Sequence, residues 1–190
     1  MKKLFLTFAA CSLASISQAA IIQFNLIGTG GVGLLPGNEP GAVTGGTGGE
    51  ILGGISYDDV ANLLTLNVGW GSANGFANLS SLATNSHIHG PTANNNGNNG
   101  TADFTQTANV LFNLTRSSNA VTGGVFTDPP IAFTAGQETD LLNGKFYINI
   151  HTATNGGGEL RGFLTPVPEP ATALFGVTAL GALALRRRRA

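Results

Sequence analysis

The chain has 190 residues, of which 28 are glycine and 10% are charged, with three histidines and one cysteine. That length suits one domain with a substantial core. A formal net charge of −1 speaks against a basic nucleic-acid binder, and a lone cysteine cannot form an internal disulfide.

Residues 1–19 open with Lys2 and Lys3, run through the apolar stretch LFLTFAA and close on SQA. A basic start, an apolar middle and small residues at the end predict a secretory signal peptide cleaved after Ala19. Cys11 leaves with it, so no thiolate remains for a metal site.

From Ala20 to Pro166 the pattern is alternation at period two, which predicts strands. In IIQFNLIG, Ile22, Phe24 and Leu26 share one face; in LLTLNVGW, Leu64, Leu66, Val68 and Trp70 do so. EILGGISY, ANVLFNL and KFYINIH continue the series. Six to nine short strands broken by Gly, Asn and Pro predict an all-β domain, an antiparallel sandwich or barrel of Greek-key type. One helix is expected at TAGQETDLLNG, where Thr134 and Gln137 have capping-box spacing and Gly144 is the stop. GTGGVG matches G-x-G-x-x-G through Gly28, Gly30 and Gly33, but LLPGNEPG follows, and its prolines forbid the helix that a dinucleotide site requires. TANNNGNNG reads as a low-complexity loop, too poor in carboxylates for calcium. Asp58 and Asp59 are adjacent, so in a strand they would face opposite ways and could not act as an acid pair. Asp128, ahead of two prolines, reads as a turn.

The histidines fall in two places. SHIHGP carries His87 and His89, which on a strand project from one face about 7 Å apart, with Ile88 opposite. His151 follows Tyr147 and Asn149 on the outward face of KFYINIH. The turn NGGG then closes a hairpin, and a register centred on Gly156 would set Arg161 across from His151. Two readings stand. The histidines end strands and bond to their turns, with Arg161 paired to Glu159 or an acidic loop; or three neutral imidazoles hold copper or zinc. No nucleophile elbow or surviving cysteine supports an enzyme of the hydrolase type.

Residues 167–190 comprise the triplet Pro168-Glu169-Pro170, an apolar run from Ala171 to Leu185, and Arg186, Arg187, Arg188 and Arg189. Fifteen helical residues rise about 22 Å, short of the roughly 30 Å hydrocarbon core, and the arginines place this end on the cytoplasmic side. Without the two ends, residues 20–166 hold Arg116, Lys145 and Arg161 against nine acids, a net charge of −6. Such a domain is a poor ligand for nucleic acid or anionic lipid.

Three resemblances follow from these motifs. The tail resembles the PEP-CTERM sorting signal, which implies a transient membrane helix, an exosortase-type processing partner, and delivery to the cell surface or extracellular matrix polymer. SHIHGP, YINIHT and GGELRGFL resemble the hallmarks of the CHRD domain, which implies an all-β extracellular module over residues 20–166 with a structural or binding role and no catalytic residues. More distantly, the same residues are similar to copper/zinc superoxide dismutase. That likeness implies His87, His89 and His151 as copper ligands and Arg161 as an anion-attracting residue, although no bridging fourth histidine, zinc-site cluster or cysteine pair accompanies them.

Overall fold

The computed structural model describes residues 20–37, 43–93 and 106–168. The expected signal peptide with Ala19, most of the Asn-rich stretch, and the tail from Glu169 through Pro170 to the four arginines lie outside the described residues. Pro168 is the last residue described.

Among the described residues eleven strands form, in chain order β1 (Ile21–Gly28), β2 (Gly31–Val32), β3 (Leu35–Pro36), β4 (Gly48–Asp58), β5 (Leu63–Trp70), β6 (Ala83–His89), β7 (Val110–Asn113), β8 (Gly124–Val125), β9 (Ile131–Ala132), β10 (Tyr147–Thr152) and β11 (Leu160–Pro166). Seven of them have four or more residues, within the expected range; the other four are two-residue pieces that alternation cannot reveal. All pairings are antiparallel, in the order β7-β6-β10-β11-β1-β4-β5-β8, with β2 on β1, β3 on β11 and β9 on β5.

This is one continuous sheet that curls on itself. Beyond β7 the chain bridges the two ends: Leu114 donates to Ser86 O on β6, Thr127 to Thr115 O, and Phe126 to Val68 O on β5. The inner face holds the core, and its membership follows the alternation. Phe24 and Leu26, then Leu64, Leu66, Val68 and Trp70, then Ile148 and Ile150 are all buried. Each such side chain contributes roughly 1.5–3 kcal/mol on burial. Phe133 packs against Tyr57 of β4 at 6.2 Å, Phe112 of β7 at 5.1 Å and Phe146 at 5.7 Å, joining strands from opposite arms of the curl.

The helix α1 (Ala135–Leu142) forms where expected, with both bonds of the Thr134–Gln137 capping box present and Gly144 at φ +67° just beyond its end. GTGGVG makes a hairpin, not a phosphate loop: Gly28 ends β1 and Gly31 pairs back onto it. Gly33, at φ +117°, lies so close to β4 that a Cβ would sit 2.8 Å from Gly48 O. Asp58 accepts from the amides of Val60 and Ala61, an Asx turn that closes β4 onto β5. Asp128 likewise serves the backbone, accepting from Thr115 N.

Candidate metal centre

Strands β6 and β10 are distant in the chain, with His87 and His151 64 residues apart, but neighbours in the sheet, with Asn149 opposite His87 and Tyr147 opposite His89. Alternation turns Ile88, Ile148 and Ile150 into the core and leaves His87, His89 and His151 on the outer face. His151 stands opposite Asn85, diagonal to His87, a position within reach of long side chains. The sheet therefore gathers all three histidines: one ring nitrogen from each lies within 4.8 Å of the others. Ring centroids are 5.4 Å apart for His87 and His89, 4.9 Å for His87 and His151, and 6.2 Å for His89 and His151.

The hydrogen bonds set the tautomers. His89 Nδ1 is 2.9 Å from Ala108 O, and His151 Nδ1 is 2.9 Å from Gly156 O. A carbonyl only accepts, so both Nδ1 atoms carry the proton and both Nε2 atoms keep a lone pair. His151 Nε2 accepts from His87 Nδ1 at 3.1 Å. Burial, then the neighbouring His151 and His89 rings and the Arg116 guanidinium, holds the His87 pKa down to about 4. His87 is accordingly neutral at pH 7, the form in which imidazole binds metal.

This donor set fits a late first-row ion. Two nitrogens bound at about 2.0–2.1 Å on a tetrahedral ion lie roughly 3.3 Å apart, close to the His87–His151 separation. Carbonyls on Nδ1 are the usual outer support of a metal-binding imidazole, since they orient the ring and raise its basicity. The cluster holds no carboxylate or thiolate among the described residues.

The surroundings pack the inner ligand tightly. His89 is 6% exposed and stacks on Tyr147 with ring planes 8° apart and centroids at 4.8 Å. Arg161 is 2% exposed; its guanidinium lies 3.8 Å from the Tyr147 centroid and donates to Gln106 O. The Tyr147 hydroxyl accepts from Ala108 N, and Gly90 N donates to Asn109 O. Residues 106–109 thus strap the outer face. Nothing in their sequence marks them, because it is their backbone that acts.

The hairpin register differs from the expected one. Arg161 faces Asn149, two positions from His151, and Leu160 faces Ile150. The turn closes around Asn155, whose carbonyl accepts from Thr152 N and Gly158 N, while Glu159 N donates to Ile150 O. A shift of two keeps Arg161 on the outer face, as alternation requires. Gly158 has φ +114°, and a Cβ there would lie 2.3 Å from Asn149 Oδ1, so the turn requires glycine at this position. Gly90 of SHIHGP is similarly constrained: its φ is +152° and a Cβ would meet Phe146 Cδ1 at 1.9 Å.

Glu159 sits beside this hairpin without exposure. Oε1 accepts from Gly46 N at 2.8 Å and Ser80 N at 2.7 Å; Oε2 accepts from the Ser80 hydroxyl, from Thr152 Oγ1 at 2.8 Å and from Asn155 Nδ2 at 3.4 Å. Burial alone would raise its pKa, but the Ser80, Gly46 and Thr152 donors outweigh it and hold the carboxyl below its usual range.

A family model of the CHRD domain matches residues 32–164, from β2 to β11 and across every histidine. No curated protein matches the chain. No solved structure does either.

Proposed function

From the premise that this chain belongs to the CHRD family, we propose that it is an exported, surface- or matrix-associated module whose binding element is one copper or zinc ion held by His87, His89 and His151. At family level a CHRD domain fits a non-catalytic binding or structural role. The single observation that carries the finer reading is the convergence of three imidazoles with two Nδ1 atoms anchored on backbone carbonyls. His89 and His151 would bind through Nε2, and His87 through Nδ1 once its proton moves to Nε2. Such an ion would supply a Lewis-acidic centre. Arg161 positions the site in this reading, packing the ring that stacks on His89.

The exported address is supported by the basic–apolar–small sequence of residues 1–19 and the Pro-Glu-Pro, apolar and arginine parts of the tail, with an exosortase-type enzyme as processing partner. Elemental analysis of the purified chain tests the site. We expect close to one copper or zinc per chain, lost in His87→Ala. A metal-free protein whose melting is unchanged by added copper and by added zinc overturns the reading.

A further inference from the structure

A cavity of about 350 Å³ opens where the β2–β3 segment bridges to the start of β4 through Leu34 and Gly48. Val32, Leu35 and Phe76 form its apolar wall, Thr47 and Glu50 its polar one, and glycine backbone the rest. That volume is at the small end of the roughly 300–1,000 Å³ typical of ligand cavities. None of these residues belongs to the three-histidine centre, and the two sites stand or fall separately.

Glu50 is held there by a break in the sheet. β1 pairs with β4 from Ile21 to Phe24, and the β4 register then shifts between Ile55 and Glu50. Leu26 N, left without a strand partner on that side, donates instead to Glu50 Oε1 at 2.7 Å. The bond fixes the carboxylate and leaves Oε2 to accept a second donor; among the described residues it takes none. Phe76 lies against bare backbone, where a Cβ on Gly49 would approach its Cζ to 3.2 Å. The other polar groups of the wall are engaged. Gly48 exchanges backbone bonds with Leu34 at 2.8 and 2.9 Å, Thr47 N and Oγ1 bond to Ala77, and residues 48–50 ladder onto β5.

This inventory selects a class of ligand. A sugar would exchange many water bonds for one carboxylate oxygen and the Thr47 hydroxyl hydrogen, a shortfall that costs binding. A wholly apolar ligand would seal Glu50 from water with no partner for its charge. An anion meets the same carboxylate on a domain of net charge −6. A compact organic cation escapes all three penalties, since its nitrogen donates to Oε2 and the Phe76 face attracts its charge. Its apolar body covers Leu35 and Val32, the latter 70% exposed at the rim. The domain's own cations are committed elsewhere: Arg116 to Asn119, Ser86 and Thr84, Lys145 to Asp140, and Arg161 against Tyr147.

We propose that this cavity binds a small organic ammonium ion, with its nitrogen on Glu50 and its apolar body against Phe76, Leu35 and Val32. The test titrates the whole purified chain with benzylammonium, benzyl alcohol and benzoate, three probes of nearly one size and different charge. A chelator is present throughout, so that amine coordination at the histidines does not contribute. Calorimetry gives the affinities and amide NMR shifts locate the site. We expect saturable benzylammonium binding with shifts at Gly33, Gly48, Gly49 and Phe76, at least ten-fold tighter than benzyl alcohol, and no binding of benzoate at the same concentrations. Glu50→Gln keeps an oxygen for Leu26 N and should bring the amine to the affinity of the alcohol. If that variant fails to fold, the wild-type comparison of the three probes decides alone. Equal binding of amine and alcohol, shifts centred elsewhere, or an amine affinity unchanged in Glu50→Gln overturns the proposal. Tighter binding of an end-blocked lysine tripeptide than of the free amine assigns the cavity to a protein side chain and overturns the small-ligand reading.

Discussion

Two polar clusters flank the β10–β11 hairpin, and they are built in opposite ways. Around Glu159 every partner points at one buried carboxylate: two backbone amides, two hydroxyls and an amide side chain surround it, drawn from residues 46, 80, 152 and 155. Around His87, His89 and His151 the backbone carbonyls take one nitrogen from two of the rings, and the other nitrogens turn toward each other. The first cluster is saturated by the protein and has nothing to offer a ligand. In the second, ring nitrogens of three side chains converge, with His87 and His151 half-buried and His89 buried. A buried charge that is fully hydrogen-bonded holds a fold together, whereas basic nitrogens collected at one point are a device for binding.

The largest effect should come from breaking the closed cluster. Glu159→Gln places an NH2 group against amide and hydroxyl donors, and we expect a loss on the order of 3 kcal/mol, read by urea unfolding. The same carboxylate gives an acid signature. Its folded pKa lies below the unfolded value, so its contribution is present above the unfolded pKa and is lost as pH falls through the folded one. The Gln variant should lack that part of the acid transition; an identical acid profile in both proteins would show that Glu159 is not ionised in the fold.

The open cluster should respond to ligand more than to truncation. Copper or zinc at a hundred times its dissociation constant should stabilise the chain by about 2.7 kcal/mol, raising Tm by roughly 5–10 °C. His87→Ala should cost less than about 1 kcal/mol by itself, because the ring is half-buried, yet erase the metal-induced shift. A variant that still gains the full shift would remove His87 from the ligand set.

Smaller changes separate the clusters further. Asn155→Ala removes the contacts to Ser80 and Glu159 and loosens the turn that presents Gly156 O to His151. We expect about 1 kcal/mol of lost stability together with weaker metal binding, measured by calorimetry. Arg161→Lys keeps the charge but loses the planar face over Tyr147, for an expected 0.5 kcal/mol or about that, and leaves metal stoichiometry unchanged.

Much of the site was readable from side-chain parity. His87 and His89 flank Ile88 and His151 follows Ile150, and both isoleucines enter the core, so the outward direction of the histidines follows from a pattern of period two. Arg161 kept its face despite the register error because a slip of two conserves parity. What alternation could not supply was the hairpin register, which depends on how Thr152, Asn155 and Gly158 close the turn. The pairing of Arg161 with Glu159, one of the expected possibilities, gave way to neutral donors around the carboxylate from segments more than 70 residues upstream. The strap at 106–109 was invisible for a different reason, since carbonyl and amide groups are the same at every residue.

By itself, then, the sequence determined the β character, the inward and outward faces, the capped helix and the three imidazoles as the chemistry on offer, because these depend on neighbours along the chain. Tertiary structure decided that β6 lies against β10, that residues 106–109 cross the outer face, and that Glu159 and His89 are enclosed while His87 and His151 stay half-open. Those outcomes turn on contacts between distant segments, whose geometry is set by the closure of the whole sheet and not by any local run of residues.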